Sequence, residues 1–269
     1  MLLTDLQHFD LEQTLDNGQA FRWRKLNDTT WAGIAYGRYL EVEFSGGVLV
    51  LKNITEKEYE NIWRDYFALA VDYSDLRQKL SVSSNMSAAL ELYPGLRLMQ
   101  QDPWEMLISF ILSQNSNIPR IKKMINTLCE NFGDKIFCGE NENGYTFPTA
   151  EKLATLTEND LSIIKSGYRA AYILDAARQV ADKRLDIEKL KAQSTEEVRA
   201  ALLNVHGVGP KVADCVLLFG FARTECYPMD IHMKRAMEKL YPDGFPEEFK
   251  EVAGIAQQFL FHYARVHGL

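Results

Sequence analysis

The sequence predicts an α+β protein that is predominantly α, with an N-terminal antiparallel β-sheet domain followed by helical domains. Three observations lead there. Short segments with a two-residue hydrophobic period occupy the first third of the chain. Beyond "YPGLRLMQQDP" the apolar residues recur at helical spacing. "LLNVHGVGPKVADCVLLFGF", residues 202–221, sets a Gly-x-Gly turn between two apolar helical runs, a helix–hairpin–helix at about 194–220.

Each element has a local reason. In "YLEVEF", Leu40, Val42 and Phe44 share one face and Tyr39, Glu41 and Glu43 the other, the pattern of a half-buried strand. "SGG" (Ser45 to Gly47) then turns the chain into "VLVLK", a hairpin by its turn chemistry. "FRWRK" and "TWAGIAY" are neighbouring strands. At Thr55 a Thr-x-x-Glu capping box opens a helix with Tyr59, Ile62, Trp63 and Tyr66 on its buried side. Asp102 caps a strongly apolar helix with Pro103 in its first turn and Glu105 behind it. Further helices are expected near 118–131, 150–156, 158–165, 170–183, 194–205, 210–220, 230–241 and 247–264. The boundary falls near 85–97, giving domains of 1–92 and 93–269.

The hairpin carries more than a turn needs. Ser194 and Glu197 form a capping box for its first helix, which ends at Val205 or His206 with Gly207 behind it. Gly209 caps the second helix and Pro210 occupies its first turn. That helix start suits a phosphate, because its free N–H groups and its dipole favour an anion. Lys211 and Cys215 are four apart and share a face. "YPMDIHM" follows and places Asp230 at the start of another helix, where a plain capping role is equally open.

Composition narrows the class. At 46% hydrophobic and 25% charged, 269 residues make a globular chain of one large or two ordinary domains. No apolar run reaches the roughly 18 residues of a membrane span, and "MLLTDLQHFD" is too short and acidic for a signal peptide. The expectation is a cytoplasmic protein (nucleoid-associated in a prokaryote), with no membrane partner and with a monomer as the default. Four cysteines lack any C-x-x-C pair, so no metal site, iron–sulfur cluster or other cofactor is expected. The net charge of −7 argues against a nucleic-acid partner unless basic residues cluster locally.

"HGVGPKVADC" followed by "YPMDIHM" resembles the helix–hairpin–helix, Gly/Pro-rich, Asp signature of base-excision DNA glycosylases. "NGQAFRW", "RLMQQDPWEMLISFILSQNSNIPRI", "SGYRAAYI" and "GIAQQFLF" narrow the resemblance to the 8-oxoguanine DNA glycosylases and extend it through nearly the whole chain. It implies excision of 8-oxoguanine from double-stranded DNA with associated strand cleavage. Lys211 is then the nucleophile, attacking C1′ of the sugar as the base leaves and forming a Schiff base. To attack, the amine must be neutral. Asp230 is the carboxylate that stabilises positive charge on the sugar. Gly18 offers its carbonyl to the N7 proton that guanine lacks, Gln257 reads the Watson–Crick edge, Phe261 and Cys215 sandwich the ring, and Pro228 lines the pocket. Asn115 fills the gap left by the extruded base and Asn117 lies in the same DNA-contacting loop. Tyr168 is the wedge, and Arg120 and Arg169 read the widowed cytosine. Gly207, Gly209 and Val212 offer N–H groups to phosphate, with His232 as a further phosphate contact. "PRIKK" and "KSGYR" supply the local positive charge.

The pattern departs from the family at Ser116, where a third asparagine is frequent, at Ile255 for a tryptophan, and at Ala171 for an arginine. None of these removes a catalytic group. A glycosylase for another damaged base remains an alternative, although its iron–sulfur variants need cysteines this chain lacks. A non-catalytic DNA-binding module would explain the hairpin but not Lys211, Cys215, Asp230, Gln257 and Phe261 together.

Overall fold

The computed structural model describes residues 1–139 and 143–268. Five strands, β1 (Leu2–Leu3), β2 (Trp23–Lys25), β3 (Thr30–Ala35), β4 (Arg38–Ser45) and β5 (Val48–Leu51), form an antiparallel sheet in the order β1-β5-β4-β3-β2. Ser45 pairs with Val48, so the hairpin turns on Gly46 and Gly47, whose φ values of 57° and 78° are what a two-residue turn of this hand requires. Leu40, Val42, Leu49 and Leu51 are fully buried. They pack with α1 (Leu11–Leu15) and with the helix that Thr55 caps.

That second helix is not uniform. α2 (Glu56–Glu58) passes through a π turn at Tyr59–Trp63 into α3 (Arg64–Tyr66). The sequence pattern does not reveal the wider turn. Trp63, Tyr66 and Phe67 are all buried in the sheet's core, and Trp23 donates its indole N–H to Tyr66 Oη at 2.7 Å.

The helical body begins earlier than "YPGLRLMQQDP". α4 (Tyr73–Leu80) and α5 (Ser84–Leu92) contribute Leu76, Leu80, Met86 and Leu90 to the second, larger core. α6 (Pro103–Ser113) runs through its centre, with Phe110 stacked on Phe219 at 5.3 Å. α7 (Ile118–Phe132) follows. A short antiparallel pair, β6 (Lys135–Phe137) and β7 (Asn143–Tyr145), then lies between two of the expected helices. The rest is α8 (Ala150–Ala154), α9 (Arg169–Ala181), α10 (Ile187–Leu190), α11 (Thr195–Leu203), α12 (Pro210–Phe219), α13 (Ile231–Leu240) and α14 (Ala253–His267).

Two expected helices differ in kind. Asp160–Ile164 is a 3₁₀ turn, and Glu247–Val252 is a separate 3₁₀ segment ahead of α14. The first hairpin helix ends at Leu203 rather than at Val205 or His206, because residues 204–208 already tighten into the turn. Among the described residues no helix is long and apolar enough to cross a membrane.

Gly33 pairs directly with Trp23, and a Cβ built there would lie 2.4 Å from Cδ2 of the buried indole. A rigid ring cannot yield as a flexible tip could. Gly33→Ala should therefore destabilise the protein by about 1–3 kcal/mol, the usual range for overpacking, read as a lower denaturation midpoint at unchanged slope.

Candidate active site

The hairpin supplies an open helix terminus. Gly207 has φ +82°, and a Cβ there would lie 2.2 Å from the ring of Tyr172, so the turn admits only glycine. Gly209 is the N-cap of α12, with Pro210 next, and a Cβ at Gly209 would meet nothing within 4 Å. That side of the turn is clear of protein. The N–H groups of Lys211 and Val212, in the helix's first turn, have no acceptor within the helix.

A cavity of about 730 Å³ opens beside this terminus. Lys211 lines it from α12, half-buried, with Nζ 5.3 Å from the centroid of the Phe110 ring. Cys215 lies one turn further along the same face and is buried. Burial pushes its thiol pKa up, while the charge of Lys211 and a hydrogen bond from it pull the other way. Cys215 thus offers a neutral, polarisable surface rather than a second nucleophile.

Asp230 caps α13 by accepting from the Met233 N–H at 2.7 Å, which leaves its second oxygen for the cavity that it also lines. The buried Pro228 sits two residues before it. Gln257 and Phe261, one turn apart on α14, line the cavity too. His232 and Asn117 line the cavity as well.

Gly18 comes from the far end of the chain and reaches the same cavity. Its φ is +90°, and a Cβ would press to 3.2 Å from Ile118 Cδ1. The flanking residues hold it there. Asn17 Nδ2 donates to Gln13 O, and its Oδ1 accepts from the Gln19 N–H at 3.0 Å. Gln19, fully buried, donates through Nε2 to Thr14 O at 2.8 Å and to Arg97 O at 2.7 Å, and accepts from the Met99 N–H at 2.9 Å. Gln101 Nε2 in turn donates to Gln19 O at 2.7 Å. Sequence reasoning passed over Asn17, Gln19 and Gln101. Their signal was polar residues embedded in apolar blocks, "NGQAF" and "LMQQDP".

The remaining expected residues form a second group outside this cavity. Tyr168 is 53% exposed, and Asn115 and Arg120 are exposed too. Asn117 caps α7 by accepting from the Arg120 N–H at 3.0 Å, which puts Arg120 in that helix's first turn. Arg169 is buried. It donates through Nε and Nη2 to Gln114 O, through Nη2 to Asn115 O and through Nη1 to Ser166 O. Its guanidinium carbon lies 4.6 Å from the Tyr168 ring centroid. Gln114 Nε2 donates to Gly207 O at 3.1 Å, so the 114–117 turn, the 166–169 turn and the hairpin are one connected surface. Among the described residues no group of His, Cys, Asp and Glu could hold a metal ion.

Residues 1–107 match the family model described as 8-oxoguanine DNA glycosylase, N-terminal domain, and residues 108–253 match that of the HhH-GPD superfamily base excision DNA repair proteins. The chain is 33% identical to an N-glycosylase/DNA lyase of Saccharomyces cerevisiae, with 86% of this chain and 68% of that protein covered. It is 31% identical to a probable N-glycosylase/DNA lyase of Methanothermobacter thermautotrophicus, covering 97% of this chain and 95% of that one. The crystal structure of the Clostridium acetobutylicum 8-oxoguanine glycosylase/lyase, in complex with double-stranded DNA containing cytosine opposite 8-oxoG, superimposes with a TM-score of 0.92. The two are 35% identical, covering 100% of this chain and 96% of that one.

His262, next to Phe261, gives the site's surroundings a pH dependence. Its Nε2 is buried without a partner, and burial together with the charge of Arg265 lowers its pKa to about 4 from 6.5. The folded state therefore keeps the ring neutral where the unfolded chain protonates it. Between those values the unfolded state binds more protons, so stability falls as pH drops from about 6.5 to about 4. His262→Leu should remove up to about 3 kcal/mol of that acid sensitivity. Melting temperatures of both proteins across this window test it, and parallel curves would contradict a neutral buried ring.

Proposed function

The chain belongs to the HhH-GPD superfamily of base-excision DNA repair proteins, and within it to the N-glycosylase/DNA lyases; on that premise we propose that it excises 8-oxoguanine from double-stranded DNA and then cleaves the strand. The observation that carries the residue assignments is the convergence of Gly18, Lys211, Cys215, Asp230, Gln257 and Phe261, from well-separated segments, on a single cavity.

Chemistry on a base inside a duplex requires that the nucleotide be flipped out of the stack. The flipped ring lies between Phe261 and Cys215, with Gly18 offering its carbonyl to the N7 proton and Gln257 facing the Watson–Crick edge. Guanine lacks that proton and leaves the acceptor unpaired, a loss of roughly 1–3 kcal/mol. The neutral amine of Lys211 attacks C1′, and the bond from C1′ to the base breaks with its electron pair leaving on the base. The carboxylate of Asp230 stabilises the positive charge on the sugar. The attached amine gives up a proton, O4′ takes one as the C1′–O4′ bond opens with its electron pair on that oxygen, and the protonated Schiff base results. Removal of a C2′ proton then expels the 3′ oxygen by β-elimination. Phosphates rest on the N–H groups of Gly207, Gly209 and Val212 and against His232. Tyr168, Asn115, Asn117, Arg120 and Arg169 handle the strands around the gap. The protein acts as a monomer in the compartment that holds the DNA, the cytoplasm in a prokaryote.

Lys211→Gln should abolish borohydride trapping on an 8-oxoguanine duplex while duplex binding persists, since the backbone phosphate contacts survive. Trapping that persists would place the amine elsewhere. Asp230→Asn separates the two roles of that residue, because asparagine caps helices about as well as aspartate. It should leave the melting temperature nearly unchanged and slow single-turnover excision by about a hundredfold or more, the scale of a lost electrostatic stabiliser. An undiminished rate would leave Asp230 as a cap alone.

A further inference from the structure

Gln257 and Gln258 are consecutive on α14, are 3% and 5% exposed, and both line the cavity. Neighbouring helix positions point about 100° apart and do not ordinarily meet. Here they do. Gln258 Nε2 donates to Gln257 Oε1 at 2.7 Å. The bond holds one end of the Gln257 amide and leaves its two Nε2–H groups and one Oε1 lone pair for a ligand.

An unpinned amide is ambiguous. Its carbonyl and amino ends are similar in size, and a half-turn exchanges acceptor for donor. The purine edges it could face differ in the same way. 8-Oxoguanine presents the O6 acceptor beside the N1–H donor, whereas 8-oxoadenine presents an N6 amino donor beside the N1 acceptor. A free amide can turn to pair with either. An amide fixed in one orientation pairs with both atoms of one edge and opposes both atoms of the other.

We infer that Gln258 is a specificity-determining positioning residue, which fixes the Gln257 amide so that the cavity takes a guanine-type edge and rejects an adenine-type edge. The inference rests on the proposed contact between Gln257 and the Watson–Crick edge. Gln258 itself need not touch the base. The two substrates share N7–H and C8=O, so a carbonyl from Gly18 and a ring from Phe261 cannot tell them apart. Edge discrimination falls to the amide.

The experiment compares kcat/KM for release of 8-oxoguanine and of 8-oxoadenine, each opposite cytosine, in the wild-type chain, Gln258→Met and Gln258→Glu. Each value is divided by the same variant's strand cleavage at a preformed abasic site, which has no base edge, so a folding defect cancels. The wild-type ratio should favour 8-oxoguanine by at least about tenfold, the factor for one mispaired hydrogen bond. Methionine keeps the volume and removes the pin, and the ratio should fall toward one. A carboxylate can only accept, so Gln258→Glu takes a Gln257 Nε2–H, turns the amide over and should carry the ratio below that of the methionine variant. A ratio unchanged in both variants would overturn the inference and leave Gln258 as packing. Failure of the wild-type chain to release 8-oxoguanine at all would overturn the underlying reading as well, and is a visibly different result.

Discussion

The buried amide of Gln19 is the interaction on which the rest of the site depends. A buried polar group left without a partner costs about 1–3 kcal/mol, so a side chain that satisfies several groups at once fixes the segments carrying them. Gln19 joins the Asn17–Gly18 loop to Thr14, to Arg97 and to Met99, and Gln101 returns a bond to its carbonyl. Gln101 also donates its backbone N–H to Phe219 O, at the end of the helix that carries Lys211. The Gly18 wall and the Lys211 wall of the cavity thus belong to one hydrogen-bonded frame. A sheet domain with its own core contributes a residue to a cavity in the helical body because this frame crosses between them.

A second frame organises the surface that carries the residues proposed to handle the strands. Arg169 holds the carbonyls of Gln114, Asn115 and Ser166, and Gln114 holds that of Gly207. Guanidinium has five N–H donors, and the four bonds seen leave one on Nη1. Arg169 can therefore keep its structural bonds and still offer a donor to a base. Such a donor is tied to the shape of the Asn115 turn, where φ is +46°. Arg120 is exposed on the neighbouring helix start and, among the described residues, has no comparable tie to backbone carbonyls. The two arginines, equivalent in the sequence pattern, are physically unlike.

Much of the fold was legible because its signals are local. Alternation in "YLEVEF", the capping boxes at Thr55 and Ser194, and the Asp102-Pro103 start each depend on residues within a few positions, and each appears in the structure. What escaped depends on partners far along the chain. The π turn at Tyr59–Trp63 brings no composition change of its own, and α5 has a weak pattern that tertiary packing completes. In the site, Lys211 and Cys215 shared a face by spacing alone, but Gly18, Gln257 and Phe261 joined them only through the resemblance. No rule of spacing brings residue 18 to residue 257. The overall charge of −7 says little about any one face in the same manner, since Arg120, Lys123 and Lys165 are exposed whatever the total.

Several site residues have a structural duty first, which is why the sequence alone left both readings of them open. Asp230, Asn117 and Gly209 are helix caps, Arg169 is a carbonyl clamp, and Gln257 accepts from its neighbour. A helix start must have unpaired N–H groups, and something must satisfy them. Where the cap is a carboxylate with a second oxygen, or a glycine open to solvent, the same terminus can serve a ligand without added strain. The fold needs these positions filled, and function selects which of the adequate residues fills them. Asparagine at 230 would serve the helix about as well as aspartate. A carboxylate there, lining the same cavity as Lys211, is the choice that capping alone does not require.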